Sequence, residues 1–197
     1  MESLYFEDIA RVVQDGDAEL EEARRGNRSR EGVLELVLGR QTFKTGLSDP
    51  ITEEMVQEYF RLTGDRFFIH SDAAFARRFG FRSMIVPGNL VVALSSGLMY
   101  RDGPFRESLL VQSHKDTEFR SPLYIGERIY VVDRVIGIED RIGKPYGKVD
   151  LTRETFSHDD RCITVSRQGY RVLKRDSIPN PQIQPRMTDV YGNYNSF

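Results

Sequence analysis

Between Ile51 and Tyr100 the apolar residues keep mostly helical spacing, and beyond Pro104 they fall into strand-like runs. Thr52 is a good N-cap, and Glu53 and Glu54 put carboxylates at the positive end of the helix that follows. Ile51 and Val56 stand where a hydrophobic staple would close. Met55, Val56, Tyr59, Phe60 and Leu62 then continue the period until Gly64 stops it. A second short helix is expected from Ser71 or Asp72 through Phe79, ended by Gly80. Pro87 and Gly88 open a third, Asn89 to Tyr100, which is apolar nearly all round apart from Ser95 and Ser96. Such a helix is expected to be buried on most sides.

Strands are predicted at Leu109 to Glu118, Arg128 to Ile138, Tyr146 to Phe156 and Cys162 to Leu173. Gly126-Glu127, Glu139 to Gly143 and Ser157 to Arg161 are the turns between them, with His158-Asp159-Asp160 at a hairpin tip. Val33 to Phe43 is a further strand, from the dense run Val33, Leu34, Leu36, Val37 and Leu38. Residues 1–32 are helix-prone but densely charged from Asp15 to Glu31, and are expected to form a peripheral helical extension. Residues 176–197, with Pro179, Pro181 and Pro185, have no period and are expected to be an irregular tail. That leaves one domain over 33–175, a buried helix with an antiparallel sheet able to wrap it, which is an α+β architecture.

Composition narrows the function. The chain's 197 residues suffice for one well-buried core, and 39% hydrophobic with 29% charged residues is ordinary for a soluble globular protein. The 28 basic and 30 acidic residues are interspersed and leave a net charge of −2, so no nucleic-acid partner is implied. Cys162 is the sole cysteine, which excludes an internal disulfide and any multi-cysteine metal site. The first twenty residues lack a basic start followed by an apolar run, and the apolar stretch from Leu90 to Tyr100 is too short to cross a bilayer. The expectation is a cytoplasmic protein with no membrane partner.

Candidate chemistry sits between the first two helices. Asp65 and His70 belong to a Gly-Asp-x-x-x-x-His segment that brings together a carboxylate and a group able to exchange a proton near neutral pH. Taken singly, Asp65 also suits a turn, His70 a position beside a helix cap, Gly88 a tight turn, and Ser96-Gly97 close helix packing. His114 and His158 have no comparable neighbours and read as strand and turn residues.

The segment resembles the MaoC-like (R)-specific enoyl-CoA hydratases and dehydratases, whose signature is Gly-Asp-x-Asn-Pro-x-His-x-Asp, a short helix, a His-Gly turn and a helix containing Ser-Gly. Gly64, Asp65, His70, Asp72, Gly88, Ser96 and Gly97 stand at matching spacing, and Phe119 to Val131 looks like the family's Phe-x-x-Pro-Val-x-x-Gly-Asp turn. The resemblance covers roughly Ile51 to Val132. It implies a hot-dog fold, a sheet wrapped around a central helix, and a homodimer or a dimer-based oligomer. It also implies water addition to an enoyl-CoA-type thioester without metal or redox cofactor. Asp65 would act on the water and His70 on the α carbon, with Gly88 as an oxyanion donor. Ser96 would hold the Asp65 carboxylate, and Phe67 and Asn89 are further candidates for contact with substrate.

Two alternatives stay open, a hot-dog acyl-CoA thioesterase and a noncatalytic acyl-binding subunit. The family's Asn and Pro are Phe67 and Phe68 in this chain, and its His before the glycine is Pro87. In an extended connection, one of the two rings is expected to enter the core and the other to face the site.

Overall fold

The computed structural model describes residues 4–11 and 42–175. Of the N-terminal extension only residues 4–11 fall among these, and of the strand predicted over Val33 to Phe43 only its last two residues; the C-terminal tail lies outside them. Five strands are described: β1 (Thr42–Lys44), β2 (Leu109–Phe119), β3 (Ile129–Glu139), β4 (Tyr146–Ser157) and β5 (Cys162–Leu173). They make one antiparallel sheet in the order β1-β3-β4-β5-β2. After a helical stretch at residues 6–11, the helices are α1 (Glu53–Thr63), α2 (Phe68–Ser71), α3 (Ala73–Arg78) and α4 (Gly88–Asp102). Except for α2, which lies where a connection was expected, they follow the periods of the sequence.

The local signals act as read. Thr52 caps α1, its hydroxyl accepting from the Met55 N–H at 3.3 Å, and Ile51 and Val56 are buried together in one core cluster. Gly64 ends the helix at φ 75°, a left-handed conformation that costs glycine little. β4 alternates strictly between buried and half-buried positions, as expected of a strand with one face on a core.

That inner face carries two apolar clusters with a polar band between them. Val91 and Leu98 of α4 meet Ile129, Val131 and Ile163 in the first cluster; Val135, Val149, Leu151 and Tyr170 form the second. In the band Asp133, Arg153 and Ser166 lie side by side on adjacent strands. Arg153 donates to both carboxylate oxygens of Asp133, at 2.8 and 2.7 Å, and also to the Tyr170 hydroxyl. Burial works against the Arg153 charge, but the Asp133 carboxylate outweighs it and holds the guanidinium above its usual range. Burial also drives the Tyr170 phenol above the usual range, with the Asp133 charge adding to the effect.

Two expectations change. Residues 4–11 are not peripheral: residues 6–11 are helical, and Phe6 and Ile9 are buried in the second cluster. Phe6 lies over Gly147, where any Cβ would collide with its ring. Asp8 ties this segment to Arg175 at 2.7 Å. The charged run that begins at Asp15 hid this short apolar anchor. The second change concerns α4. Leu90, Val91, Ser95, Leu98 and Met99 are buried, but Asn89, Ala93 and Gly97 form an exposed stripe at four-residue spacing. Small apolar residues blur the two faces of a helix in sequence, and the described residues cover only one side of α4.

Candidate active site

Gly64 turns the chain out of α1 and directly into Asp65. The Asp65 N–H donates to the Thr63 hydroxyl at 3.2 Å, and its carboxylate lies 3.5 Å from the Tyr59 hydroxyl on α1. Phe67 to Ser71 then coil into α2, and the Ser71 hydroxyl donates to the Arg66 and Phe67 carbonyls. His70 sits on this turn with Nδ1 2.8 Å from the Ile85 carbonyl oxygen. Asp72 caps α3, accepting from the Ala74 and Phe75 N–H groups at 2.8 and 3.0 Å, so its carboxylate is committed to the scaffold.

The segment after α3 carries the chain to the opposite wall. Ile85 bridges Tyr124, and the Val86 N–H donates to the Leu123 carbonyl at 2.8 Å. Pro87 is then the N-cap of α4 and Gly88 its first residue, with no side chain capping that end. The first amides of a helix lack intrahelical acceptors and carry the positive end of its dipole, so they can face an oxygen that gains negative charge. A Cβ at Gly88 would run into the Phe119 ring, so glycine permits this close approach.

These pieces enclose a cavity of about 570 Å³ lined by Asp65, Phe67 and His70, by Gly88, Asn89 and Val91 of α4, and by Phe119 to Leu123 with Ile163. The size suits a small organic ligand. Its sheet-side wall is pinned by buried Glu127, which accepts from Arg82 at 2.6 Å, from Arg161 at 2.9 Å and from the Tyr124 N–H at 3.0 Å. Arg161 also donates to the Pro122 carbonyl. Among the described residues no group of three or more His, Cys, Asp and Glu side chains could hold a metal ion.

Five candidates from the sequence therefore share one cavity: Asp65, His70, Gly88, Asn89 and Phe67. Ser96 does not join them. Within this chain its hydroxyl accepts from Gln112 and Arg153, each at 3.2 Å, and it borders a separate small pocket with Tyr100 and Leu109. The Ser-Gly spacing located the serine on the helix without fixing the face it occupies. Nor does either phenylalanine enter the core: Phe67 and Phe68 are 58% and 60% exposed. Phe67 is the N-cap of α2 and Phe68 its first residue, so the two do not share one extended connection whose side chains alternate between opposite sides.

Tyr59, Phe119 and the Ile85 carbonyl were not singled out from sequence. Phe119 opens the Phe119 to Val131 motif and was legible as part of it. No spacing rule links Tyr59 to Asp65 across the end of α1, and Ile85 reaches His70 from fifteen residues away through tertiary packing. His114 is a strand residue bonded to Gln112 and Gln168, and His158 lies in the β4–β5 turn.

Comparison with known proteins agrees with this architecture. The structure is similar to the monoamine oxidase regulatory protein from Archaeoglobus fulgidus, at TM-score 0.61 and 22% identity, covering 68% of this chain and 89% of that one. It is similar to the MaoC-like dehydratase from Rhodospirillum rubrum, at TM-score 0.61 and 16% identity, with coverages of 68% and 92%. The (R)-hydratase from A. caviae involved in PHA biosynthesis matches at TM-score 0.52 and 24% identity, with coverages of 68% and 95%. At these identities the likeness establishes the hot-dog fold. No curated protein matches the chain in sequence. The family model described as MaoC like domain matches residues 38–155, more than half of the chain. A sheet wrapped on α4, the Asp65 and His70 cavity and this match together place the chain in the MaoC like domain family.

Proposed function

We propose that the protein is a hydro-lyase acting on the 2,3 double bond of an enoyl-CoA-type thioester, with an (R)-3-hydroxyacyl thioester as the hydrated partner. The observation that carries this reading is the placement of Asp65 and His70 on the wall of one cavity that also holds the open N-terminus of α4. In the hydration direction, Asp65 takes a proton from water as the water oxygen bonds to the β carbon. The double-bond electrons move toward the thioester carbonyl, whose oxygen gains charge and is met by the Gly88 amide. His70 gives a proton from Nε2 to the α carbon. Acid and base on one side of the substrate give syn addition. His70 starts with Nε2 protonated, and the proton that Asp65 took from water then passes to Nε2, so every atom of water is accounted for without a cofactor. Asn89 and Phe67 line the same space and are placed to contact the acyl group.

A homodimer in the cytoplasm belongs to the same proposal. Among the described residues β2 is an edge strand with Leu110, Val111 and Phe119 about half exposed, and the exposed α4 stripe of Asn89, Ala93 and Gly97 offers a second surface for another copy to cover. No described helix is long and apolar enough to cross a membrane.

One feature favours a second reading, a noncatalytic acyl-binding subunit: Phe67 puts a hydrocarbon ring where the resembling family has an amide. Crotonyl-CoA separates the readings. Loss of enoyl absorbance without thiol release is the expected result. Thiol release would mean a thioesterase, and binding without either change would mean the subunit.

A further inference from the structure

The connection that carries the two acid–base residues also builds an unusual outer surface. Phe75 lies at its centre, with the rings of Phe67, Phe68 and Phe79 at centroid distances of 6.3, 5.5 and 4.9 Å. Three of these rings are left in solvent: Phe67 at 58%, Phe68 at 60% and Phe79 at 64% exposure. Joined aromatic surface of this kind marks an interaction site more often than chance. Exposed Arg66, Arg77 and Arg78 lie on the same segment, and among the described residues none of the three is in an ion pair, whereas Arg61 and Arg82 are paired with Glu58 and Glu127. The segment's two carboxylates are occupied elsewhere, Asp65 in the cavity wall and Asp72 in capping α3.

We propose that the α2–α3 surface docks an acidic acyl carrier protein that presents its thioester to the cavity on a phosphopantetheine arm. This rests on the hydro-lyase reading for the chemistry of the cargo. Phe67 belongs both to the aromatic surface and to the cavity wall, so an occupant seated on the rings stands at the cavity's rim. The cavity, at about 570 Å³, takes the acyl group and thioester, and the rest of the carrier remains outside. A nucleotide head offers one ring system to stack on one phenyl group, which leaves the other exposed rings uncovered. Aromatic residues and arginine without lysine is the composition of a protein interface, and no lysine occurs between Lys44 and Lys115. The positive charge selects an acidic partner.

The test compares wild type with Arg77→Ala/Arg78→Ala and with Arg77→Glu/Arg78→Glu/Phe79→Ser, none of which touches the cavity lining. Fluorescence anisotropy follows binding of labelled, phosphopantetheinylated acidic carrier proteins. Turnover is measured with crotonyl-carrier and with crotonyl-pantetheine, which lacks both nucleotide and protein. Expected is carrier binding by wild type that weakens with salt and falls about ten-fold or more in the variants, with crotonyl-pantetheine turnover unchanged. Equal carrier binding by wild type and variants, or no binding by wild type, overturns the proposal. So does an equal loss of crotonyl-pantetheine turnover, or a loss confined to binding of phosphatidylglycerol vesicles, which would assign the surface to a membrane. If no thioester is turned over by any form, the hydro-lyase reading fails, while anisotropy, which needs no turnover, still decides the docking.

Discussion

The Nδ1 of His70 lies 2.8 Å from the carbonyl oxygen of Ile85, fifteen residues further along the chain. A carbonyl can only accept, so Nδ1 carries a hydrogen and Nε2 is left as the nitrogen that exchanges a proton. Ile85 stands three residues before Gly88, and this segment is itself anchored to Leu123 and Tyr124. One short stretch of backbone thus orients the imidazole and delivers the start of α4 to the opposite wall.

From this arrangement Asp65→Ala and His70→Ala are each expected to lower turnover of an enoyl thioester by roughly 10²–10⁴, the loss usual for a positioned acid or base. Both residues are only partly buried, so the fold should survive. Circular dichroism and steady-state rates check this together. Folded variants that keep near-normal rates would remove the two residues from the chemistry.

Gly88→Ala probes the other wall. The atoms nearest the added methyl all belong to the Phe119 ring, which is 53% exposed and free to swing aside at a cost of about 1–3 kcal/mol. Phe119 also lines the cavity, so its displacement should raise KM and reduce kcat/KM while the protein stays folded. Unchanged kinetics would mean that substrate does not approach Gly88.

How much of this was legible depended on the range of the interaction. Thr52, Gly64 and Asp72 act on backbone within four residues, and the strand limits followed from runs of the chain itself, so these elements agree with the sequence to within a residue or two. Asp65, His70 and Gly88 were legible as a spaced set. The face taken by Ser96 was not, because it depends on Gln112 and Arg153 from two different strands. Phe6 and Ile9 were obscured for a similar reason: their burial depends on Val149 and Tyr170, far along the chain. The Asp133–Arg153 pair is likewise a product of strand register, which no local pattern specifies.

That pair supplies a stability prediction. Arg153 and Asp133 are 2% and 0% exposed. Arg153→Met would leave a buried carboxylate without its partner and should cost about 3–5 kcal/mol. The double change Arg153→Met/Asp133→Leu removes both charges and should recover part of the loss. Urea unfolding of the three proteins tests this; a double variant no more stable than Arg153→Met would show that the buried charge is not the source of the cost.

Assembly is open to direct measurement. Among the described residues the outer edge of β2 is unpaired and the α4 stripe is uncovered, and these surfaces are expected to bring two copies together, so light scattering at micromolar concentration should give a dimer or a multiple of one. A fully active monomer would contradict the expectation.

Phe67 is the position where the chain departs from the family signature beside its acid, and its surroundings say what restoring an amide should do. The ring is more than half exposed, makes an edge contact with Phe75 at 6.3 Å, and stands at the N-cap of α2 without any side-chain cap bond. Asparagine is among the best N-cap residues and typically stabilises a helix start by about 1 kcal/mol, which should offset the lost ring contact. Phe67→Asn is therefore expected to leave the melting temperature nearly unchanged. Its effect should appear in selectivity, since a polar group replaces a hydrocarbon on the cavity wall next to Asp65. Relative rates across saturated-chain, branched and dicarboxylic enoyl thioesters should shift, while Asp65 and His70 keep the reaction running. If wild type turns over none of these thioesters and Phe67→Asn does, the phenylalanine marks catalysis that this chain has lost, and the acyl-binding reading replaces the hydro-lyase.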